Sequence, residues 1–289
     1  MAGLLHSRRA FLRGAAGLLL GAGLQPDCFG TSSARLSSGD FSFVVLSDLH
    51  YRDARCGLWL ERVVAHLRAL RPAPSFCVLD GDLADSGTRE QLGAVREIFR
   101  PLPMPLYPVI GNHDCTENGD RSAFEALFGK QTNYRFEQSG CQFLVLDSIE
   151  GRRVYRTRIS QQTLGWVDWT LPQLSPQKPL IVLTHFPLGR NWLRPLNANA
   201  LLGRLRTRNI QAVLSGHWHG LTERMEGPAS LSTGRCCSWW RTNHDGSDEK
   251  GYVICTVRDG HMTHRFQPVA NSSEKHPWNG SAPILRKAV

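Results

Sequence analysis

Short apolar runs that end abruptly in polar residues recur along this chain. Residues 41–46, 76–79, 106–110, 180–183 and 210–214 are each four to six mostly apolar residues long, the length of a buried strand rather than of a helix. Between them, apolar residues return at helical spacing. Leu60, Val63, Val64, Leu67 and Leu70 predict a helix over 58–70, stopped by Pro72 and Pro74. A second helix is expected over 88–99, with Thr88 as N-cap and Gln91 as its reciprocal capping partner. Further helices are expected over 122–128, 160–171 (where Asp168 reaches solvent and Pro172 is the stop) and 197–208. Residues 134–136 and 142–147 predict a hairpin turning at Ser139-Gly140, and short alternating strands are expected over 221–225, 252–257 and 262–266. Alternation of strand and helix predicts a parallel or mixed sheet with helices on its faces, an α/β fold.

The polar residues that end the runs are of one chemical kind. The five runs lead into Asp48 and His50, Asp82, Asn112 and His113, His185, and His217 and His219. One histidine after a strand is ordinarily structural; five such endings in one chain point to a single site, because strand ends are where α/β folds keep their chemistry. Carboxylate and imidazole suit Zn, Mn, Fe or Ni, and no thiolate is among the candidates. Two residues apart on extended backbone, Asp48 and His50 would point to one side, as would His217 and His219, clamping an ion from two strand ends.

The ordered set Asp-x-His, Gly-Asp, Gly-Asn-His-Asp, His and Gly-His-x-His, from about Phe41 to His219, resembles the calcineurin-like metallophosphoesterases. The resemblance implies a four-layer α-β-β-α sandwich of two mixed sheets. It implies two divalent or trivalent metal ions (Fe, Mn or Zn), the first held by Asp48, His50, Asp82 and His219. Asp82 would bridge to the second, held by Asn112, His185 and His217. It also implies hydrolysis of a phosphate ester by attack of a metal-bound hydroxide. His113 would be the general acid, with the Asp85 carboxylate fixing its tautomer. The segment 81–87 is closer to the bacterial cyclic-nucleotide phosphodiesterase branch than to purple acid phosphatases, which carry a metal-bound tyrosine where this chain has Asp85. Phe186 departs from that branch, where a second histidine often follows the ligand. The expected function is hydrolysis of phosphodiesters. A phosphomonoesterase with the same site and a non-catalytic scaffold of the same fold stand as alternatives.

Composition changes this picture little. With 41% hydrophobic and 20% charged residues, the 289-residue chain is an ordinary globular one, long enough for a sizeable core. The net charge of +9 favours anionic partners such as a phosphorylated small-molecule or phosphodiester substrate, but the basic residues form no block, and no stable nucleic-acid partner is expected. Eight cysteines form no Cys-x-x-Cys pair; Cys77, Cys141 and Cys255 lie in apolar runs and are expected as buried thiols. His66, His244, His261 and His264 fall outside the motifs, Trp239-Trp240 either walls a cleft or packs beneath a loop, and nothing singles out Arg235. Selectivity is expected in the loops 115–121 and 190–196.

The start of the chain is expected to be an address. Arg8-Arg9-Ala10-Phe11-Leu12-Arg13 precedes a small apolar run and resembles a twin-arginine signal. This implies the twin-arginine export machinery as a partner and a periplasmic or otherwise extracytoplasmic location. Three segments follow: a signal over 1–34, a metallophosphoesterase domain over 35–268, and a polar tail over 269–289.

Overall fold

Two sheets face each other across a layer of aromatic and branched side chains. The computed structural model describes residues 39–189 and 191–269; the segment expected as a signal, Arg190 and the expected polar tail from 270 onward lie outside them. In the first sheet β1 (Phe41–Leu46) runs parallel to β2 (Cys77–Asp80), and β2 parallel to β3 (Leu106–Val109). On its other side β1 pairs antiparallel with β10 (Gly251–Arg258), and β11 (His261–Pro268) closes that edge. The second sheet has the order β4-β5-β6-β7-β9-β8, with β4 (Tyr134–Gln138), β5 (Cys141–Leu146), β6 (Leu180–Thr184), β7 (Ile210–Ser215), β8 (Thr222–Glu226) and β9 (Ala229–Thr233). Both sheets are mixed, as expected.

Three apolar layers account for the four-layer sandwich. Phe41, Phe43, Val45, Val78, Phe143, Val145, Ile181 and Leu183 fill the space between the sheets. Phe43 stacks on Phe76 at 4.7 Å, and Phe136 on Phe143 at 4.6 Å. The opposite face of the first sheet, with Val44, Leu46, Cys77 and Leu79, packs under α1 (Ala54–Ala69), α2 (Arg89–Phe99) and α3 (Ser122–Phe128). The opposite face of the second, with Leu144, Leu146, Val182 and Val213, packs under α4 (Gln161–Thr170) and α5 (Ala198–Leu205). Period-two alternation inside strands that are buried on both faces explains why they read as nearly continuous apolar runs.

The element ends show which local signals were decisive. α1 starts a turn before the expected residue 58, because the Asp53 side chain accepts from the main-chain N of Arg55 at 3.0 Å and caps the helix there. Thr88 caps α2 as expected, accepting from Gln91 N, but the reciprocal bond is absent: Gln91 Oε1 accepts from Ser86 N at 2.8 Å. The hairpin β4–β5 turns through Ser139 and Gly140, both at positive φ, the backbone a two-residue hairpin turn requires. Asp168 is half exposed and pairs with Arg204, α5 is shorter than expected, and Pro172 sits in a 3₁₀ turn that extends α4 rather than cutting it off. The strand β9 has no counterpart among the expected elements. Its Ala-Ser-Leu-Ser-Thr sequence carries one large apolar residue, yet all five residues are buried by parallel pairing to β7 and antiparallel pairing to β8.

The seven cysteines among the described residues are all free and buried, Cys77, Cys141 and Cys255 with them. No helix of the described residues is long and apolar enough to cross a membrane. Phe143 contacts aromatic rings from both sheets, so Phe143→Ala is expected to lower unfolding free energy by about 3–5 kcal/mol, read as a shift in the urea midpoint at unchanged slope.

Candidate metal centre

The loops after β1, β2, β3, β6 and β7 meet at one end of the two sheets, and main-chain bonds lace them together. Asp48 N donates to Gly81 O at 3.1 Å, His50 N to Asp82 O at 2.8 Å, and Tyr51 N to Leu83 O at 3.0 Å. Gly216 N donates to His185 O at 3.1 Å, joining the loops of the second sheet. His217 N donates to both oxygens of Asp48, at 3.0 and 3.1 Å, which ties one sheet to the other.

Side-chain direction in these loops arises differently from the extended alternation expected. Asp48, His50, Asp82, His217 and His219 all have φ between 45° and 63°, the left-handed region. For residues with a Cβ this costs about 1–2 kcal/mol each. Five such residues at one place mark a backbone held in strain by its surroundings, a pattern that collects at functional sites. Close approach adds a second constraint: a Cβ on Gly111 would lie 2.1 Å from Asp82 N and 2.4 Å from Asp82 Oδ1, and one on Gly81 would lie 2.3 Å from the His185 ring.

Six of the seven expected ligands come together in two groups that share Asp82. Asp48, His50, Asp82 and His219 form one group of potential donor atoms; Asp82, His185 and His217 form another. In the first, His50 Nε2 lies 3.1 Å from His219 Nε2 and 3.5 Å from Asp82 Oδ2, and His219 Nε2 lies 3.2 Å from Asp48 Oδ1. In the second, His185 Nε2 lies 3.3 Å from the other oxygen of Asp82. Asn112 is fully buried, and both its amide oxygen and its amide nitrogen lack a partner. A buried amide left so is costly in a folded protein unless a ligand completes it.

His185, His217 and His219 each have one ring nitrogen anchored by a main-chain oxygen. His185 Nδ1 donates to Asp80 O at 3.0 Å, His217 Nε2 to Val154 O at 2.9 Å, and His219 Nδ1 to Thr242 O at 3.3 Å. His50 Nδ1 faces Asp85 Oδ1 at 3.4 Å. Such outer partners fix the tautomer and ring direction of metal-ligating histidines. The charges point the same way. Burial opposes a charge on His185, but Asp82, Asp48 and Asp80 outweigh it and raise its pKa to about 10. Burial likewise opposes ionisation of Asp82, yet His185, His113 and His50 hold it well below the usual carboxylate range. Burial, reinforced by His185, pushes His217 down to about 3. A buried field that draws protons onto His185 is one that cations would occupy, and the oxygen and nitrogen donors fit Fe, Mn or Zn.

His113 stands beside these groups, within reach of His50 and Asp85. Its ring nitrogen Nδ1 donates to the main-chain oxygen of Asp85 at 2.8 Å, whereas the Asp85 carboxylate is 3.8 Å away. The carboxylate expected to fix the His113 tautomer therefore faces elsewhere, toward His50 and toward Arg241 at 2.7 Å. The cause is Arg241, a cation that outcompetes a ring N–H for the carboxylate. Phe186, the departure from the phosphodiesterase branch, is buried with its ring 3.9 Å from that of His217. Trp240 does wall the site, its indole N–H donating to His50 O at 3.0 Å, while Trp239 packs against the first core. His66 bonds the Tyr252 hydroxyl, and Arg235 is taken up by Asp245 and Glu249. His244 is exposed, but its ring stacks 5.7 Å from that of His219.

Two supporting arginines, Arg152 and Arg241, escaped the sequence reading, and Asp114, the last residue of the Gly-Asn-His-Asp motif, had no role of its own in it. Asp114 accepts from Gly111 N at 2.8 Å and from Ala84 N at 3.0 Å, pinning the loop that carries Asn112 to the loop that carries Asp82. Its place directly after His113 was the available signal. Arg152 donates to the main-chain oxygens of His113, Cys115 and Asp85, and Arg241 reaches Asp85 from far along the chain. Neither arginine sits in a pattern that the sequence alone could single out.

The fold and site define a metal-dependent phosphoesterase architecture. The chain belongs to the calcineurin-like phosphoesterase family, whose model matches residues 41–221. Among curated proteins it is similar to a probable glycerophosphodiester phosphodiesterase, GpdQ, of Arcobacter nitrofigilis, 26% identical over 55% of this chain and 62% of that protein. It is also similar to a 3',5'-cyclic-nucleotide phosphodiesterase, alr5338, of Nostoc, 30% identical over 54% of this chain and 60% of that protein. The matches thus span less than two thirds of the length of either relative. Among solved structures, a dimetal phosphatase from Danio rerio shares the fold with a TM-score of 0.62, 15% identity and coverage of 79% of this chain and 96% of that one.

Because a methyl group at position 111 would meet Asp82 itself, Gly111→Ala is expected to weaken Mn²⁺ binding by about tenfold or more, read by isothermal titration. Unchanged affinity would show that Asp82 can move without loss of the site.

Proposed function

We propose that this chain is an exported, dinuclear-metal phosphoesterase that acts on phosphodiesters. One observation carries the reading: two groups of buried ligands, with His50 and His219 on one side and His185 and His217 on the other, share the single carboxylate Asp82. Two-metal sites hold their ions about 3.5–4 Å apart through such a shared ligand. The named activities of the glycerophosphodiester and cyclic-nucleotide relatives support the diester preference.

When bound, the ions supply positive charge for the phosphate oxygens and a water acidic enough to attack near neutral pH. The residues of the chain do the rest. Asp48 and Asp82, each buried, hold the charge of the site in place, and the loop bonds that fix them remove the need for reorganisation during the reaction. His113 Nδ1–H is committed to the Asp85 carbonyl, so its Nε2 is the nitrogen that gives a proton to the leaving oxygen. His113 N also donates to Asp82 Oδ1 at 2.7 Å, coupling the position of the acid to that of the shared ligand. Arg152, bonded to the carbonyls of His113 and Asp85, keeps that acid loop closed.

Asp82→Asn is expected to reduce bound metal to less than one equivalent and abolish hydrolysis, measured by elemental analysis and by release of p-nitrophenol from its bis-ester. His113→Ala is expected to retain both equivalents and slow turnover by about 10²–10⁴-fold, most for poor leaving groups. Equal metal loss in the two variants would contradict the division of roles. A wild-type rate on p-nitrophenyl phosphate exceeding that on the bis-ester would favour a monoesterase, and metal-replete protein active on neither would favour a scaffold.

Export is proposed on Arg8 and Arg9. The double variant Arg8→Lys, Arg9→Lys is expected to remain in the cytoplasmic fraction while the wild type appears outside it; equal export of both would remove the proposal.

A further inference from the structure

The segment 150–158, between β5 and α4, reads Glu-Gly-Arg-Arg-Val-Tyr-Arg-Thr-Arg. It touches the candidate site at two points. Arg152 donates to the main-chain oxygen of His113 at 3.2 Å, and two residues later the Val154 oxygen accepts from the metal-facing His217 at 2.9 Å. Beyond Val154 the segment curls around an open depression of about 540 Å³, lined by Glu150, Arg153, Val154, Tyr155, Arg156 and Arg158 together with Leu196. The far wall is tied on by Leu196 N, which donates to Thr157 O at 2.8 Å.

The lining is unbalanced in charge. Glu150 is its one carboxylate, and it is already used: Arg153 lies 3.5 Å from one oxygen, and the main-chain N of Arg158 donates to the other at 2.9 Å. The guanidinium groups of Arg156 and Arg158 have no carboxylate partner among the described residues. Arg156 is held at φ 54°, a left-handed backbone that a residue with a side chain seldom adopts. Tyr155, Val154 and Leu196, at 60%, 43% and 56% exposure, add an apolar wall beside the cations. A run of arginines is most often a solvated face. This one is concave, has an apolar side, and shares a residue with the support of a metal-facing histidine.

We propose that this depression is a subsite for a second anionic group, of the phosphate class, carried by the substrate next to the scissile phosphate. The inference rests on the phosphoesterase reading and narrows it: the preferred diester bears an additional phosphate, held by Arg156 and Arg158, with its linking scaffold against Tyr155. Guanidinium forks bind phosphate through paired charged hydrogen bonds, which point-charge lysines would not reproduce.

The test uses the full chain loaded with Mn²⁺ and two chromogenic diesters with the same leaving group, the p-nitrophenyl ester of thymidine 5′-phosphate with and without a 3′-phosphate. The wild type is expected to favour the 3′-phosphorylated member by about tenfold in kcat/KM, and Arg156→Ala with Arg158→Ala to bring that ratio toward one. No preference in the wild type, or the same preference in the variant, overturns the subsite. Should neither ester be hydrolysed, the phosphoesterase reading fails separately. The subsite is then decided by calorimetric binding of inorganic pyrophosphate to metal-free protein: loss of about tenfold in affinity in the double variant supports it, and equal or absent binding overturns it.

Discussion

The carboxylate of Asp82 is the constraint on which the centre depends. One of its oxygens faces His185 and receives the His113 main-chain N–H; the other faces His50. Three loops are thereby referred to a single buried negative group. Burial of a carboxylate among apolar strands is unfavourable unless positive charge or hydrogen bonds offset it. Here His185, brought from the second sheet, supplies the largest offsetting charge. The inter-sheet aromatic layer fixes the distance between the sheets, so core packing and site electrostatics are one problem: Phe43, Phe76 and Phe143 set the spacing across which Asp82 and His185 meet.

Strain at the site is distributed over the loops that carry it. Five candidate ligand positions in left-handed backbone would be costly in an isolated loop. Paired main-chain bonds between the loops after β1 and β2, and the two bonds Asp114 makes to Gly111 and Ala84, hold those conformations. Glycine at 111 matters for closeness rather than for an unusual φ, whereas Gly81 needs both, at φ 76° beside the His185 ring.

Much of this was legible in the sequence, for a physical reason. Buried parallel strands need continuous apolar runs, so the five that lead to the site announce themselves, and the polar residues that follow cannot be part of the core. That is enough to single out Asp48, His50, Asp82, Asn112, His185, His217 and His219 as candidates, six of which gather in the two groups around Asp82. What the sequence hid falls into two kinds. β9 was hidden because its serines and threonines are buried by neighbours rather than by their own hydrophobicity. Arg152 and Arg241 were hidden because they act on main-chain oxygens and a carboxylate more than sixty residues away for some partners, and no local periodicity records such pairings. Left-handed turns rather than extended alternation aim Asp48 and His50 into one group, and the expected pairing of His217 with His219 on one ion does not hold, since the two fall in different groups.

The separation of roles within Asp85 changes how the acid should be understood. Its main-chain oxygen orients His113, while its carboxylate serves His50 and Arg241. A tautomer held by a carbonyl is set by backbone position and survives replacement of the side chain; one held by a carboxylate does not. The loop 82–85 therefore positions both Asp82 and the His113 ring through its path. Arg152 binds the same Asp85 carbonyl at 2.9 Å, so the segment that carries the arginine depression also bears on the atom that orients His113. The proposed anion subsite and the proposed proton donor would in this way be joined through one main-chain oxygen.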